Sequence, residues 1–182
     1  MGKYIIINNN QYKLYIEFSY ENFDYYTQIK MFLENNDKNF LIANENILFY
    51  YNLFNLYTKN IDNYILPNQL DPNFLGKQLN EYYYQIWTEK KNQNIILNEE
   101  GLWIGEKYCC FTYNDCATWI YKYNDELYLL ITKLYNNFCN IDELNDFQLF
   151  IKNYNDFCKY NITIEELQYL KRYFKLLKNK IF

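Results

Sequence analysis

Short apolar and aromatic runs bounded by polar residues open the chain. Residues 3–7 and 12–18 form two such runs, and the polar residues 8–11 separate them. Asn and Gln in so short a connection tolerate the positive φ angles of a tight turn. The sequence therefore predicts an N-terminal β-hairpin.

Spacings of three and four residues, the period of one face of an α-helix, recur in three segments after the hairpin. The first two segments are residues 21–34 and 44–57, and the second is apolar almost all round, as is typical of a central helix. The third begins at Asp71 and Pro72, an Asx cap followed by proline at the first helical position. We expect three helices here. Their apolar positions are Phe23, Tyr26, Ile29 and Leu33, then Ile47, Tyr50, Phe54 and Tyr57, then Leu75, Leu79, Tyr82 or Tyr83, and Ile86.

The pattern changes after residue 95. Between residues 95 and 134, β-branched and aromatic runs are bounded by Asn, Asp and Gly, which predicts an antiparallel meander. Helical spacing returns after Asn140 and extends to Cys158. A last helix begins at Thr163, where Thr163 and Glu166 fit a capping box.

Together these segments predict an α+β fold in a single domain of residues 1–182. An antiparallel sheet of about residues 95–134 is packed by helices. The N-terminal hairpin and three helices precede the sheet, and two C-terminal helices cover one of its faces.

The composition limits the classes of catalytic site and binding partner that the protein can have. His is absent, which excludes Ser-His-Asp and Cys-His hydrolases and His-ligated metals. A net charge of −4 argues against direct nucleic-acid binding through phosphate neutralisation and permits an acidic face toward a basic partner. No apolar run approaches the ~20 residues that span a bilayer, and the first residues do not form a secretory signal. We expect a cytoplasmic protein that does not contact the membrane.

The cysteines follow no metal or redox motif. There are five of them, an odd number, with no C-x-x-C pair. We expect reduced thiols, no metal site and no cofactor, because the glycines are also too dispersed to form a phosphate-binding loop. The five residues are Cys109, Cys110, Cys116, Cys139 and Cys158.

An ordered series of aromatic motifs occupies the second half of the chain. It comprises Leu102-Trp103-Ile104-Gly105-Glu106, then Thr118-Trp119-Ile120-Tyr121 with residues 127–135, then Phe150-Ile151-Lys152-Asn153-Tyr154. The series resembles immunity proteins of bacterial contact-dependent growth inhibition and related polymorphic toxin systems. Those proteins have a Trp-Leu-Tyr strand, a polar turn, a strand ending Glu-Ile-Thr-Pro-x-Tyr, and a Phe-Ile-Lys-Asn-Tyr helix. Leu130 and Lys133 stand where that pattern has Glu and Pro.

The resemblance implies a non-enzymatic immunity protein. Such a protein binds the C-terminal domain of a cognate bacterial toxin, often a nuclease, and occludes its active site. A basic nuclease would favour an acidic inhibitor, with charge raising the association rate and aromatic anchors supplying affinity. The candidate contact residues are the acids near predicted turns, namely Glu99, Glu100, Glu106, Asp142 and Glu143.

Two other classes of function remain open from the sequence. A non-enzymatic structural or interaction module of a phage or mobile element predicts stable self-association in place of a heterologous partner. A small enzyme using Cys110 or a tyrosine predicts an unusually reactive thiol.

Overall fold

Two four-stranded antiparallel sheets form the framework of the protein. The computed structural model describes residues 2–19, 21, 23–35, 38–135 and 143–180, apart from the side chains of residues 143 and 144. The first sheet contains β1 (Gly2–Asn8), β2 (Lys13–Phe18), β3 (Gln28–Asn35) and β4 (Lys38–Asn46), in that order. The second contains β5 (Cys109–Tyr113), β6 (Cys116–Tyr123), β7 (Glu126–Lys133) and β8 (Cys158–Asn161), in that order. The helices are α1 (Ile47–Lys59), α2 (Leu75–Thr88), α3 (Glu143–Lys152) and α4 (Ile164–Asn179).

The predicted α+β fold and the N-terminal hairpin are confirmed. β1 and β2 pair in antiparallel orientation, with a bulge between Ile5 and Ile7. In the connecting turn the Asn9 carboxamide oxygen accepts the backbone N–H groups of Gln11 and Tyr12, each at 2.9 Å. This Asx bond is the local reason that the polar connection turns the chain.

The helix predicted over residues 21–34 is wrong. Residues 28–35 form β3, in which Ile29, Met31 and Leu33 are buried at every second position. Ile29 and Leu33 lie four residues apart and therefore fit both the helical and the strand period. Tyr26, expected on the helix face, is 83% exposed. Antiparallel pairing with β2 and β4 decides the structure.

The helices α1 and α4 pack against each other. The predicted apolar face of α1 is confirmed, since Ile47, Tyr50, Phe54 and Tyr57 are its buried residues. Phe174 of α4 stacks on Tyr50 and Phe54, with ring centroids 4.8 and 5.7 Å away. The capping box that begins α4 is also present, and it uses Thr163 and Glu166 as expected.

The predicted penultimate helix is shorter than its spacing suggests. α3 ends at Lys152, and residues 158–161 pair with β7 as β8. The strand explains the alternation of half-buried Cys158 and Tyr160 with exposed Lys159 and Asn161.

The two C-terminal helices do not cover one shared face, because α3 packs on α2 and α4 packs on α1. The Tyr84 and Phe147 rings stack 4.0 Å apart between α2 and α3. The expected arrangement of the two helices is therefore corrected.

The start of α2 also differs from expectation. Asp71 accepts the backbone N–H of Asn73 at 2.8 Å and thereby closes a turn, and α2 begins only at Leu75. Asp71 therefore forms the expected Asx hydrogen bond, but it stabilises a turn that precedes the helix instead of the first turn of the helix itself. Gly76 then brings α2 against β7, because a side chain at this position would collide with Thr132 and Tyr154.

A buried amide joins α2 to the end of β7. Asn80 is 1% exposed, and its Nδ2 donates to the carbonyls of Gly76 at 2.7 Å and Lys133 at 2.8 Å. Its Oδ1 accepts the backbone N–H of Tyr135 at 2.7 Å. The side chain is thus hydrogen-bonded at both ends, which is the condition for burying it without a large penalty.

We predict that Asn80→Ala lowers the free energy of unfolding by about 2–4 kcal/mol, because it removes the three hydrogen bonds of a buried side chain and leaves a cavity in its place. Urea denaturation measures this. The exposed Asn52 of α1 gives a matched control, and Asn52→Ala should change stability by less than about 0.5 kcal/mol. Equal effects of the two substitutions would contradict a structural role for the Asn80 bonds.

Candidate functional site

Residues 95–104 form an exposed hairpin-like loop between α2 and β5. The sequence predicted strands of the sheet here, whereas the structure has one isolated bridge, between Leu97 and Trp103. The Ile104 N–H also donates to the Ile96 carbonyl at 3.0 Å. The second sheet begins only at Cys109, so the expected sheet boundary near residue 95 is corrected.

The tip of this loop is held by Asn98. The Asn98 N–H donates to the Leu102 carbonyl at 2.7 Å, and its side-chain oxygen accepts the N–H groups of Glu100 and Leu102 at 3.0 and 2.8 Å. Gly101 closes the turn at φ +80°, a left-handed conformation that favours glycine. Four polar contacts, counting the Gly101 N–H to the Asn98 carbonyl, therefore hold Glu99 and Glu100 on an ordered tip.

Large apolar side chains flank the two acids in solvent. Ile96 is 47% exposed, and Leu97 and Leu102 are each 42% exposed. We call these three residues, together with Glu99 and Glu100, the apolar–acidic loop. The sequence predicts a strand over residues 95–97, but the structure has only an isolated bridge there, so Ile95 is buried while Ile96 and Leu97 remain exposed.

The base of the apolar–acidic loop is anchored in the core. Trp103 is 1% exposed and packs edge-on against Trp119 of β6, with centroids 5.8 Å apart. On the α2 side, the Gln85 side chain accepts the Asn92 N–H at 2.5 Å. The adjoining end of α2 exposes two more apolar residues, Ile86 and Trp87. The predicted place of Ile86 on the apolar face of this helix is therefore wrong, since its side chain is 57% exposed.

The structure separates the sequence-predicted acidic residues. Glu99 and Glu100 share the exposed tip, whereas Glu106 lies half-buried in a short 3₁₀ turn. One carboxylate oxygen of Glu106 is buried and has no hydrogen-bond partner among the described residues. Asp142 lies outside the described residues, and so does the side chain of Glu143, the first residue of α3.

Burial raises the pKa of the Glu106 carboxyl above its ordinary value. Burial also raises the pKa of Tyr82, Tyr83 and Cys109, and the charge of Glu106 adds to the shift of each of these groups. Glu106 is therefore partly buried in the protein and is not part of the apolar–acidic loop.

The described cysteines are protonated at neutral pH. Burial raises the pKa of Cys109 and Cys116 to about 12 and of Cys158 to about 11, and it raises the pKa of Cys110 well above the ordinary thiol value. A thiol acts as a nucleophile only as the thiolate, so these four residues are poor nucleophiles.

The described residues contain no group of three or more His, Cys, Asp or Glu side chains that could hold a metal ion. No helix in the described part of the chain combines the length and apolar character needed to cross a membrane. No protein-family model, curated protein or solved structure matches the chain.

We predict that Glu106→Gln raises the unfolding temperature at pH 7. A raised pKa means that the folded state binds this proton more tightly than the unfolded chain does, so the contribution of Glu106 to stability falls as pH rises from about its ordinary value of 4.5. The difference between variant and parent should shrink as the pH is lowered toward 4.5. Thermal melts from pH 4 to 8 test this, with the exposed Glu99→Gln as control. A gain that is independent of pH would contradict the assignment.

We further predict slow alkylation of the thiols in the folded protein. In a Cys139→Ser variant, which leaves only the four described cysteines, iodoacetamide should react at least about tenfold more slowly at pH 8 than in 8 M urea. Mass spectrometry follows the modified sites. A single fast-reacting cysteine in the folded state would support the enzyme alternative.

Proposed function

We propose that this chain is a cytoplasmic immunity protein that binds a basic bacterial toxin domain through the apolar–acidic loop and neutralises it by covering its active site. The observation that carries the proposal is the combination of exposed Ile96, Leu97 and Leu102 with Glu99 and Glu100 on an ordered loop. The resemblance at residues 102–154 supports the same function.

The apolar residues supply affinity. Soluble proteins expose single apolar side chains routinely, but several together on one loop mark an interaction surface. Because Asn98 and Trp103 hold the loop in one shape, little conformational entropy remains to be lost on binding. Leu97 and Leu102 would then act as the anchors of the interface.

The two acidic residues raise the association rate and the selectivity of binding. Glu99 and Glu100 contribute two adjacent negative charges to the loop, and the whole chain has a net charge of −4. Complementary charge accelerates association and rejects acidic partners. A domain that binds nucleic acid carries a basic surface, so it is the partner class that this loop fits best.

The chemistry of the described residues favours binding over catalysis. The thiols have raised pKa values, and the chain has no His to act as a general base. Inhibition by covering an active site requires neither a reactive thiol nor a general base.

The first experiment is co-purification of the tagged chain with the C-terminal domain encoded by the gene immediately upstream, followed by titration of the purified pair and a growth-rescue assay. Nanomolar binding with rescue is the expected result. A chain that binds no such domain and elutes as a stable homo-oligomer would overturn the proposal and favour the structural module, whose self-association would use the same exposed apolar residues.

We predict that reversing the loop charges weakens the complex mainly through association. Glu99→Lys with Glu100→Lys should lower the association rate at least about tenfold at low salt and less at high salt, as stopped-flow kinetics can measure. Reversal at the exposed Glu21, outside the loop, is the control. Loop and control variants that behave alike would exclude this surface.

We predict that the apolar anchors Leu97 and Leu102 mainly slow the dissociation of the complex. Leu102→Ala should raise the dissociation rate about tenfold or more with little change in association. Leu56 on α1 is similarly exposed, at 47%, and Leu56→Ala provides a matched control.

A further inference from the structure

A polar cleft opens between the loop that precedes α2 and the turn that joins β6 to β7. Its volume is about 520 Å³, within the range of small-molecule sites. Residues 68–73 form one wall, Tyr123, Asn124 and Tyr128 form the second, and Lys159 of β8 closes one side. None of these residues belongs to the apolar–acidic loop.

The walls of the cleft are fixed by the fold. The Leu66 N–H donates to the Lys122 carbonyl at 2.8 Å, which ties the first wall to β6. Within that wall, Asp71 closes the turn that ends at Phe74. On the other side, Asn124 and Asp125 adopt φ angles of 49° and 63° and form a tight turn. The cleft is therefore formed in advance of any ligand.

The polar groups of the cleft have spare hydrogen-bonding capacity. The side chains of Asn68, Asn73 and Asn124 make no hydrogen bond to another described residue. Each carboxamide can donate and accept at the same time. The ring of fully buried Tyr121 stacks on the cleft residue Tyr128, with centroids 5.6 Å apart. The Tyr121 hydroxyl also has no hydrogen-bond partner within the described chain.

Aromatic rings and a balanced charge complete the lining. Tyr123 and Tyr128 are half-buried, and the Lys159 ammonium lies 4.2 Å from the centroid of the Tyr128 ring. Asp71 and Lys159 are the charged residues of the lining, one of each sign. The cleft therefore has ring surface and polar groups but no net charge.

This combination selects one class of ligand. An apolar ligand would leave the three carboxamides without partners and would remove water from the Asp71 carboxylate, which has only the Asn73 N–H as a partner among the described residues. A polyphosphate would meet one cation opposite a carboxylate, and the described residues provide no metal-binding group. A neutral polyol suits the cleft, because its hydroxyls need donors and acceptors together and its C–H faces pack on aromatic rings.

We propose that the cleft between residues 68–73 and the β6–β7 turn binds a neutral, hydroxyl-rich ligand of monosaccharide size. Asn68, Asn73 and Asn124 hold the hydroxyls, and Tyr123 packs against the ring. The proposal is independent of the immunity function, since it uses different residues.

The test is an NMR titration of the ¹⁵N-labelled full chain with glucose, galactose, mannose and N-acetylglucosamine. At least one of these sugars should bind saturably with a Kd of about 1 mM, the range expected for so small a ligand. Tyr123→Ala should weaken binding about tenfold, whereas Tyr123→Phe retains it. Asn73→Ala should also weaken binding, and Tyr169→Ala on the exposed face of α4 should leave it unchanged.

Three results would overturn the proposal. They are the absence of saturable binding by all four sugars, binding that survives both Tyr123→Ala and Asn73→Ala, and saturable binding of inorganic phosphate or free lysine at these residues in place of a sugar. Because Tyr123→Phe and Asn73→Ala make small changes near the surface, misfolding of Tyr123→Ala alone would not prevent the test.

Discussion

The buried side chain of Tyr50 is the contact on which the arrangement of the two sheets depends. Its hydroxyl donates to the Ile29 carbonyl of β3 at 2.8 Å, and its ring packs on Phe111 of β5 with centroids 5.8 Å apart and on Phe174 of α4 at 4.8 Å. One residue of α1 thus contacts both sheets and α4, and its single side-chain polar atom is paired within the core. Loss of this ring would open a cavity where all four elements meet.

The second sheet is covered on both faces, and the loop 95–104 packs on the face opposite α1. β6 is buried on both faces over six consecutive residues, because α1 and the first sheet cover one face and α2 with the loop 95–104 covers the other. Trp119 fixes this second layer by donating its indole N–H to Thr132 at 2.9 Å while Trp103 packs against its ring. A rigid sheet presenting an ordered loop is a common arrangement for recognition.

Local signals in the sequence predicted the local structure well. The hairpin, the buried face of α1 and the capping box at Thr163 each depend on residues within a few positions of one another. The error at β3 arose where Ile29 and Leu33, four residues apart, fit both periods, and the error at β8 arose because Cys158 continues the helical spacing of the preceding residues. Only pairing with distant strands resolves such cases. The sequence located Glu99 and Glu100 on a turn from the neighbouring Gly101, but the burial of Glu106 depends on contacts with α2 that no local pattern shows.

The cleft between residues 68–73 and the β6–β7 turn could not be predicted from the sequence, because it also depends on contacts between distant segments. Its residues come from three separate segments, and local patterns explain them separately: Asp71 is predicted as a helix cap, and Asn124 is one of the polar residues that bound the predicted strands. Three asparagines elsewhere in the described chain have clear structural roles, since Asn9 and Asn98 close turns and Asn80 bridges α2 to β7. The carboxamides around the cleft make no such bond to a described residue, and they converge from two walls that the backbone holds in place. Convergence of unused polar groups on a rigid concave surface is the physical property that distinguishes a binding site from an ordinary polar surface.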